Sequence, residues 1–315
     1  MKKIIVLAAV AAMLPVSLMA QTAPDGGLSP EVLSRISKGY TGTSYDKAVR
    51  NALAGSSVNV MATNAENASM IDTHFSDRVK TKGITDQKSS GRCWLFTGLN
   101  VLRAKMIEKY NLGSFTFSQN YLFFYDQLEK ANLFLQGVID TRKLPFDDRK
   151  VDWLFSNPLS DGGQFTGVSD LAMKYGLVPS EVMPETYSSN NTSQMALQLK
   201  TILRQGGLAL RAAYDASPAA SAKGKNAAAA EAKVNAELLK IKESVLTDVY
   251  RILSLCLGVP PASFEWSMYD SSDKLVSTEE YTPLSFYKKY VDEDLDDNYV
   301  MLMNDPTREY GKVYE

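Results

Sequence analysis

Histidine occurs once in the 315 residues, as His74, and cysteine twice, as Cys93 and Cys256. A single imidazole confines histidine-based proton transfer to one position in this sequence. The two cysteines are not expected to pair, because Cys256 completes a helical apolar series with Leu238, Ile241, Val245, Val249 and Ile252 and so reads as core. An excess of one charge is also missing. With 34 Lys and Arg against 36 Asp and Glu, a net charge of −2 and no basic run, nonspecific binding to nucleic acid is excluded as a function. Long apolar runs are scarce too: Ile4 to Leu18 is short for a bilayer and is interrupted by Pro15. Preceded by Lys2 and Lys3 and followed by Met19-Ala20-Gln21, it reads as a secretory signal peptide cleaved after Ala20. The expected address is the periplasm or the exterior, with no stable membrane anchor.

What is present is 45% hydrophobic composition, enough for a substantial core. One stretch organises it: Gln87-Lys-Ser-Ser-Gly-Arg-Cys-Trp-Leu-Phe96. Ser89, Ser90 and Gly91 are turn and cap residues, and from Cys93 onward Leu95, Leu99, Leu102 and Met106 fall on one face of a helix. Cys93 therefore sits in the first turn. There the unpaired backbone N–H groups and the positive end of the helix favour a thiolate, and Lys88 and Arg92 are expected to add to that field. The plainer reading is a small buried hydrophobe at a helix end, since free cysteine is among the most buried residue types.

Downstream, Phe115 to Ser118 looks β-like, and Ser118 caps a helix carrying Tyr121, Tyr125 and Leu128. Val151 to Phe155 is a helical turn stopped by Asn157-Pro158. Asp161-Gly162-Gly163-Gln164 opens a helix with Phe165, Val168, Ala172 and Tyr175 on one side, ended by Gly176 and Pro179. From Ser193 to about Gly258 the pattern is helical, with interruptions expected at Gly206-Gly207 and at Ser217 to Lys225, and Asn226 as a second N-cap. Phe264, Trp266 and Met268 alternate as a half-buried strand, and Thr282-Pro283 starts a helix through Tyr290. Asp292 to Asp297, five acidic residues in six, lacks the glycine and spaced ligands of a calcium loop and reads as a solvated connection. Tyr299 to Met303 is a candidate short strand. No metal or cofactor is expected.

The segment around Cys93 resembles the active-site segment of the papain-like cysteine peptidases, in the form found in bleomycin hydrolase and aminopeptidase C, where a glutamine stands six residues before the cysteine as Gln87 does here. The run Lys174-Tyr-Gly-Leu-Val-Pro179, then Pro184-Glu-Thr-Tyr-Ser-Ser-Asn190, carries the resemblance onward. It implies that Cys93 is a nucleophile, that the Gln87 side chain and the Cys93 N–H form an oxyanion hole, and that Trp94 packs beside the cleft. Gly162 and Gly163, which as turn residues need no further role, are by resemblance cleft-lining residues whose missing Cβ lets a substrate backbone approach.

The implied fold is α+β and papain-like, mainly its helical half, with a signal peptide at 1–20, a leader segment at 21–72 and a peptidase portion from 73 to 315. A helical insertion at about 193–258 is implied to serve subunit assembly, into a homo-hexamer, and the substrate is a peptide read from its N-terminus. In this family the catalytic His and Asn, with most of the core sheet, follow the segment that Pro306 to Tyr314 resembles. His74, 19 residues before Cys93, is in the wrong place and reads as a surface or core residue. The β-half is therefore expected to be largely absent, with apolar surface left exposed and no activity for this chain alone. The rival readings are a non-catalytic remnant or half-enzyme, and a redox protein using the Cys93 thiol.

Overall fold

A computed structural model describes residues 27–79, 81–222, 226–291, 294–299, 304–312 and 314. The signal-peptide segment 1–20, residues 300–303 of the candidate strand and part of the acidic run lie outside them. The chain divides into two compact units, Met1–Ser76 and Asp77–Glu315.

The first unit holds four short helices: α1 (Pro30–Gly39), α2 (Ser44–Gly55), α3 (Val58–Ala62) and α4 (Ala65–Met70). Each is started by a side-chain cap, from Ser29, Thr43, Ser57 and Asn64 in turn, and Thr43 and Asp46 form a reciprocal capping box. Sequence periodicity pointed only to the piece around Leu33, Ile36 and Tyr40: the first two lie in α1, Tyr40 is its C-cap residue, and all three side chains are exposed. The other three helices rest on caps more than on apolar stripes, and α1 to α3 bury no residue.

The second unit is built on α5 (Cys93–Lys109), α6 (Gln119–Asp140), α7 (Arg149–Ser156) and α8 (Phe165–Tyr175), followed by α9 (Tyr187–Asn190), α10 (Ser193–Asp215) and α11 (Ala227–Leu257). A hairpin of β1 (Phe264–Tyr269) and β2 (Leu275–Tyr281) and a last helix, α12 (Pro283–Tyr290), complete it. Helix α5 buries Leu95, Leu99, Leu102 and Met106, the four residues whose spacing predicted it. Its Gly98 lies where a Cβ would meet Val168 at 2.7 Å, so α5 and α8 cross closely. Helix α6 starts at its Ser118 cap, whose hydroxyl accepts the Tyr121 N–H. Gly176 ends α8 with φ of 78°, a conformation that suits glycine.

Helix α10 runs unbroken through Gly206-Gly207, where an interruption was expected. A Cβ at Gly206 would stand 2.7 Å from Val245 on α11, and one at Gly207 3.0 Å from the Phe155 ring. These glycines admit neighbouring helices instead of breaking their own. Asn226 precedes α11 as expected but makes no side-chain cap.

β1 buries Phe264, Trp266 and Met268 and exposes the alternate side, as the alternation required. Its partner β2 was not foreseen, because of its seven residues only Tyr281 is buried. Edge-to-face contacts join Phe115, Phe117, Trp266 and Phe286 where the hairpin meets the helices. Among the described residues this hairpin is the one sheet, so the architecture is α+β and mostly helical. Among them also, no helix is long and apolar enough to cross a membrane. Cys93, Thr97 and Val101 are exposed at successive turns of α5, and Ile84 and Val259 are exposed elsewhere.

Candidate active site

The site is a turn wound against a helix start. Lys88 takes a positive φ of 54°, the Ser90 hydroxyl donates to the Gln87 carbonyl at 2.7 Å, and the Arg92 Nε donates back to Ser90 Oγ at 2.9 Å. Arg92 is the helix N-cap residue, its carbonyl accepting the Leu95 and Phe96 N–H groups, and it contributes no side-chain cap. Its guanidinium is wholly buried, bonded at two points to Glu185 and placed 5.0 Å from both the Phe96 and Phe123 rings. Glu185 is in turn held by the Ser189 hydroxyl at 2.6 Å. The expectation that Arg92 and Lys88 add to a positive field at the thiol is corrected by these partners. Glu185 neutralises Arg92, and Asp86 pairs with Lys88 at 2.7 Å. What remains at Cys93 is the helix end itself.

Cys93 is exposed and unbridged, which removes the reading of a buried small hydrophobe. Among the described residues its backbone N–H meets no acceptor, as expected of the first helical position. The Gln87 side chain is half-buried, and its Oε1 is enclosed without a hydrogen-bond partner among those residues.

Asp161 ties this turn to the double glycine. Its carboxylate accepts the Gly91 N–H at 3.2 Å and the Thr192 hydroxyl at 2.5 Å, and its main-chain carbonyl accepts the Trp94 indole N–H at 2.7 Å. Residues on both sides of Cys93 are thereby held by one residue. Trp94 is 8% exposed and lies face-on to Gly163, where a Cβ would fall 2.6 Å from the indole. Trp94 is thus one neighbour that a side chain at Gly163 would displace. Gly162 has open space, with only Ser160 Oγ at 3.8 Å. Both glycines are exposed.

His74 is exposed and belongs to the first unit; Cys93 belongs to the second. A groove of about 540 Å³ between α6, α8 and α11 and one of about 490 Å³ along α6 and α8 include neither Cys93 nor Gln87. Sequence reasoning missed Asp161, Glu185, Asp126 and Lys130. Asp161, immediately before the double glycine, and Glu185, inside the run Pro184 to Asn190, lay in segments the sequence singles out; Asp126 and Lys130 carried no signal.

A model of the Peptidase C1-like family matches residues 27–315. The chain belongs to that family. It is 37% identical over 287 residues to aminopeptidase G of Lactobacillus delbrueckii subsp. lactis, covering 91% of this chain and 62% of that protein. Aminopeptidase C of the same organism is 39% identical over 246 residues, covering 78% and 51%. The crystal structure of PepW from Lactobacillus rhamnosis HN001 is similar with a TM-score of 0.73 and 34% identity, over 86% of this chain and 57% of that one. The fold is thus the papain-like one, seen in its helical part. The chain spans 51 to 62% of the length of these relatives.

Proposed function

We propose that this chain is the nucleophile-bearing portion of an exported cysteine aminopeptidase that cleaves peptides from their N-terminus. The observation that supports it is the setting of Cys93: an exposed thiol at a helix start, its neighbours anchored on both sides and its own N–H uncommitted. In this mechanism Cys93 Sγ attacks the carbonyl carbon of the first residue. The Cys93 N–H and the Gln87 side-chain amide donate to the resulting oxyanion. Collapse breaks the C–N bond, the amine leaves with a proton, and water then hydrolyses the Cys93 thioester. Gly162 and Gly163 line the cleft along which the peptide lies, and Trp94 supports them. By family resemblance the proton is carried by a histidine, oriented by an asparagine, in sequence that follows the segment like 306–314. The same resemblance is the ground for assigning a homo-hexamer.

A second reading, a half-enzyme inert by itself, is favoured by the single histidine, which stands 19 residues upstream of Cys93. Hydrolysis of an aminoacyl fluorogenic amide by residues 21–315 tests both. Turnover by this chain alone that Cys93→Ser abolishes supports the nucleophile and overturns the assignment of the proton carrier to following sequence. Turnover that appears only after addition of a polypeptide matching the remainder of the relatives supports the half-enzyme. Inertness under both conditions, with thiol oxidation by peroxide, overturns the peptidase reading.

A further inference from the structure

Lys130, on α6, plays no part in the chemistry above, yet its ammonium is placed with unusual economy. An ammonium has three N–H donors. Lys130 Nζ donates to Asp126 Oδ2 at 2.8 Å, to the Ser160 carbonyl at 3.1 Å and to the Gly162 carbonyl at 2.7 Å, so each donor has one acceptor. The same nitrogen stands 5.3 Å from the centre of the Trp94 ring. The arrangement is a built one: Asp126 is buried, and Gln127 Nε2 reinforces it by bonding both Asp126 Oδ2 at 2.9 Å and the Ser160 carbonyl at 3.2 Å.

We propose that Lys130 is a positioning residue for the peptide-binding glycine segment, fixing the plane of the Gly162–Gly163 peptide bond through the Gly162 carbonyl. The inference rests on the reading of that segment as cleft-lining. Glycine peptides rotate at little cost, so an exposed Gly-Gly pair needs something outside itself to hold one orientation. Below the segment, Trp94 occupies the space beside Gly163; the Lys130 ammonium takes the Gly162 oxygen. Among the described residues the Gly163 N–H and carbonyl make no backbone hydrogen bond, which leaves them for a peptide to pair with under this proposal. Holding them in one orientation lowers the ordering cost of binding and leaves the thiol untouched.

The test compares two alkylating agents that both lose chloride to Cys93: an aminoacyl chloromethyl ketone, which must occupy the cleft, and chloroacetamide, which need not. The ratio of their rates reports binding by the cleft, and it is read on the full chain without requiring turnover. Lys130→Met is expected to lower that ratio about tenfold with the chloroacetamide rate unchanged. Lys130→Arg keeps the charge over the indole, but its planar fork cannot serve three acceptors around one nitrogen, and a smaller loss is expected. Asp126→Asn keeps an acceptor and both carbonyl bonds and is expected to preserve the ratio. A ratio unchanged in Lys130→Met overturns the proposal. Should that variant melt early, Lys130→Arg carries the same comparison, and an unchanged ratio there overturns it too. If the unsubstituted chain shows no preference for the ketone, the cleft reading itself fails, an outcome distinct from the other two.

Discussion

Arg92 and Glu185 meet as a two-point ion pair, Nη1 to Oε1 at 3.0 Å and Nη2 to Oε2 at 2.8 Å, with the guanidinium fully buried one residue before the nucleophile. Such a pair is worth little against a well-packed apolar replacement, but removal of one partner strands the other charge. Its value here is geometric. It ties the turn before Cys93 to the segment 185–189, so the position of the helix start that carries the thiol depends on this ion pair.

Glu185→Ala is accordingly expected to destabilise the fold by about 3 kcal/mol, with Glu185→Gln, which keeps one acceptor, losing less. Chemical denaturation of the three proteins checks this. Equal stability would mean that the buried guanidinium finds other acceptors.

The two glycines separate cleanly under substitution. Gly163→Ala drives a methyl to 2.6 Å from an indole that Asp161 holds by its N–H, and a cost of about 1–3 kcal/mol is expected. Gly162→Ala meets nothing closer than 3.8 Å and should change stability by less than about 0.5 kcal/mol. Thermal melts of the two variants decide it, and similar losses would show that Trp94 yields.

Helix α5 and its cysteine could be read from the chain because four apolar residues at helical spacing and a six-residue Gln–Cys interval are local signals. The supports of the site were not legible. Lys130 acts largely on main-chain carbonyls, which leave no mark in a side-chain pattern, and the partners of Asp161 lie 31 to 70 positions away. Arg92 could be named but not oriented, since its partner Glu185 lies 93 positions away. β2 escaped notice because a strand with one buried residue carries no alternation, and Gly206-Gly207 was misread because a packing glycine and a breaking glycine are the same letter.

Burial raises the Asp126 carboxyl to about 6, against a usual 3.8; Lys130 and Gln127 oppose the rise, and Asp161 adds to it. An acid raised in the folded state adds stability that is full below its unfolded value and is lost as the pH climbs through the folded one. Keeping Asp126 ionised at pH 7 therefore costs about 3 kcal/mol. Asp126→Asn should gain on the unsubstituted protein by roughly that amount between pH 4 and pH 7. Unfolding free energies across that window test the sign, and a constant difference would place the Asp126 titration at its ordinary value.

The crossing of α10 and α11 offers a test that separates packing from propensity. Taken alone, Gly206→Ala favours a helix by up to about 1 kcal/mol, because glycine is the poorer former. The new methyl, however, falls 2.7 and 2.8 Å from the two Val245 methyls, inside any allowed contact. Overpacking of that kind costs about 1–3 kcal/mol, so net destabilisation is expected. Val245→Ala removes both offending methyls and alone should destabilise modestly, since Val245 is only partly buried. In the double variant the nearest approach relaxes to 3.3 Å, at the Val245 Cβ, and the helix-forming gain remains, so its loss should be smaller than the sum of the two by about 1 kcal/mol or more. Strict additivity would mean that α10 and α11 draw apart to admit the methyl, and that the glycines do not set the distance between the helices.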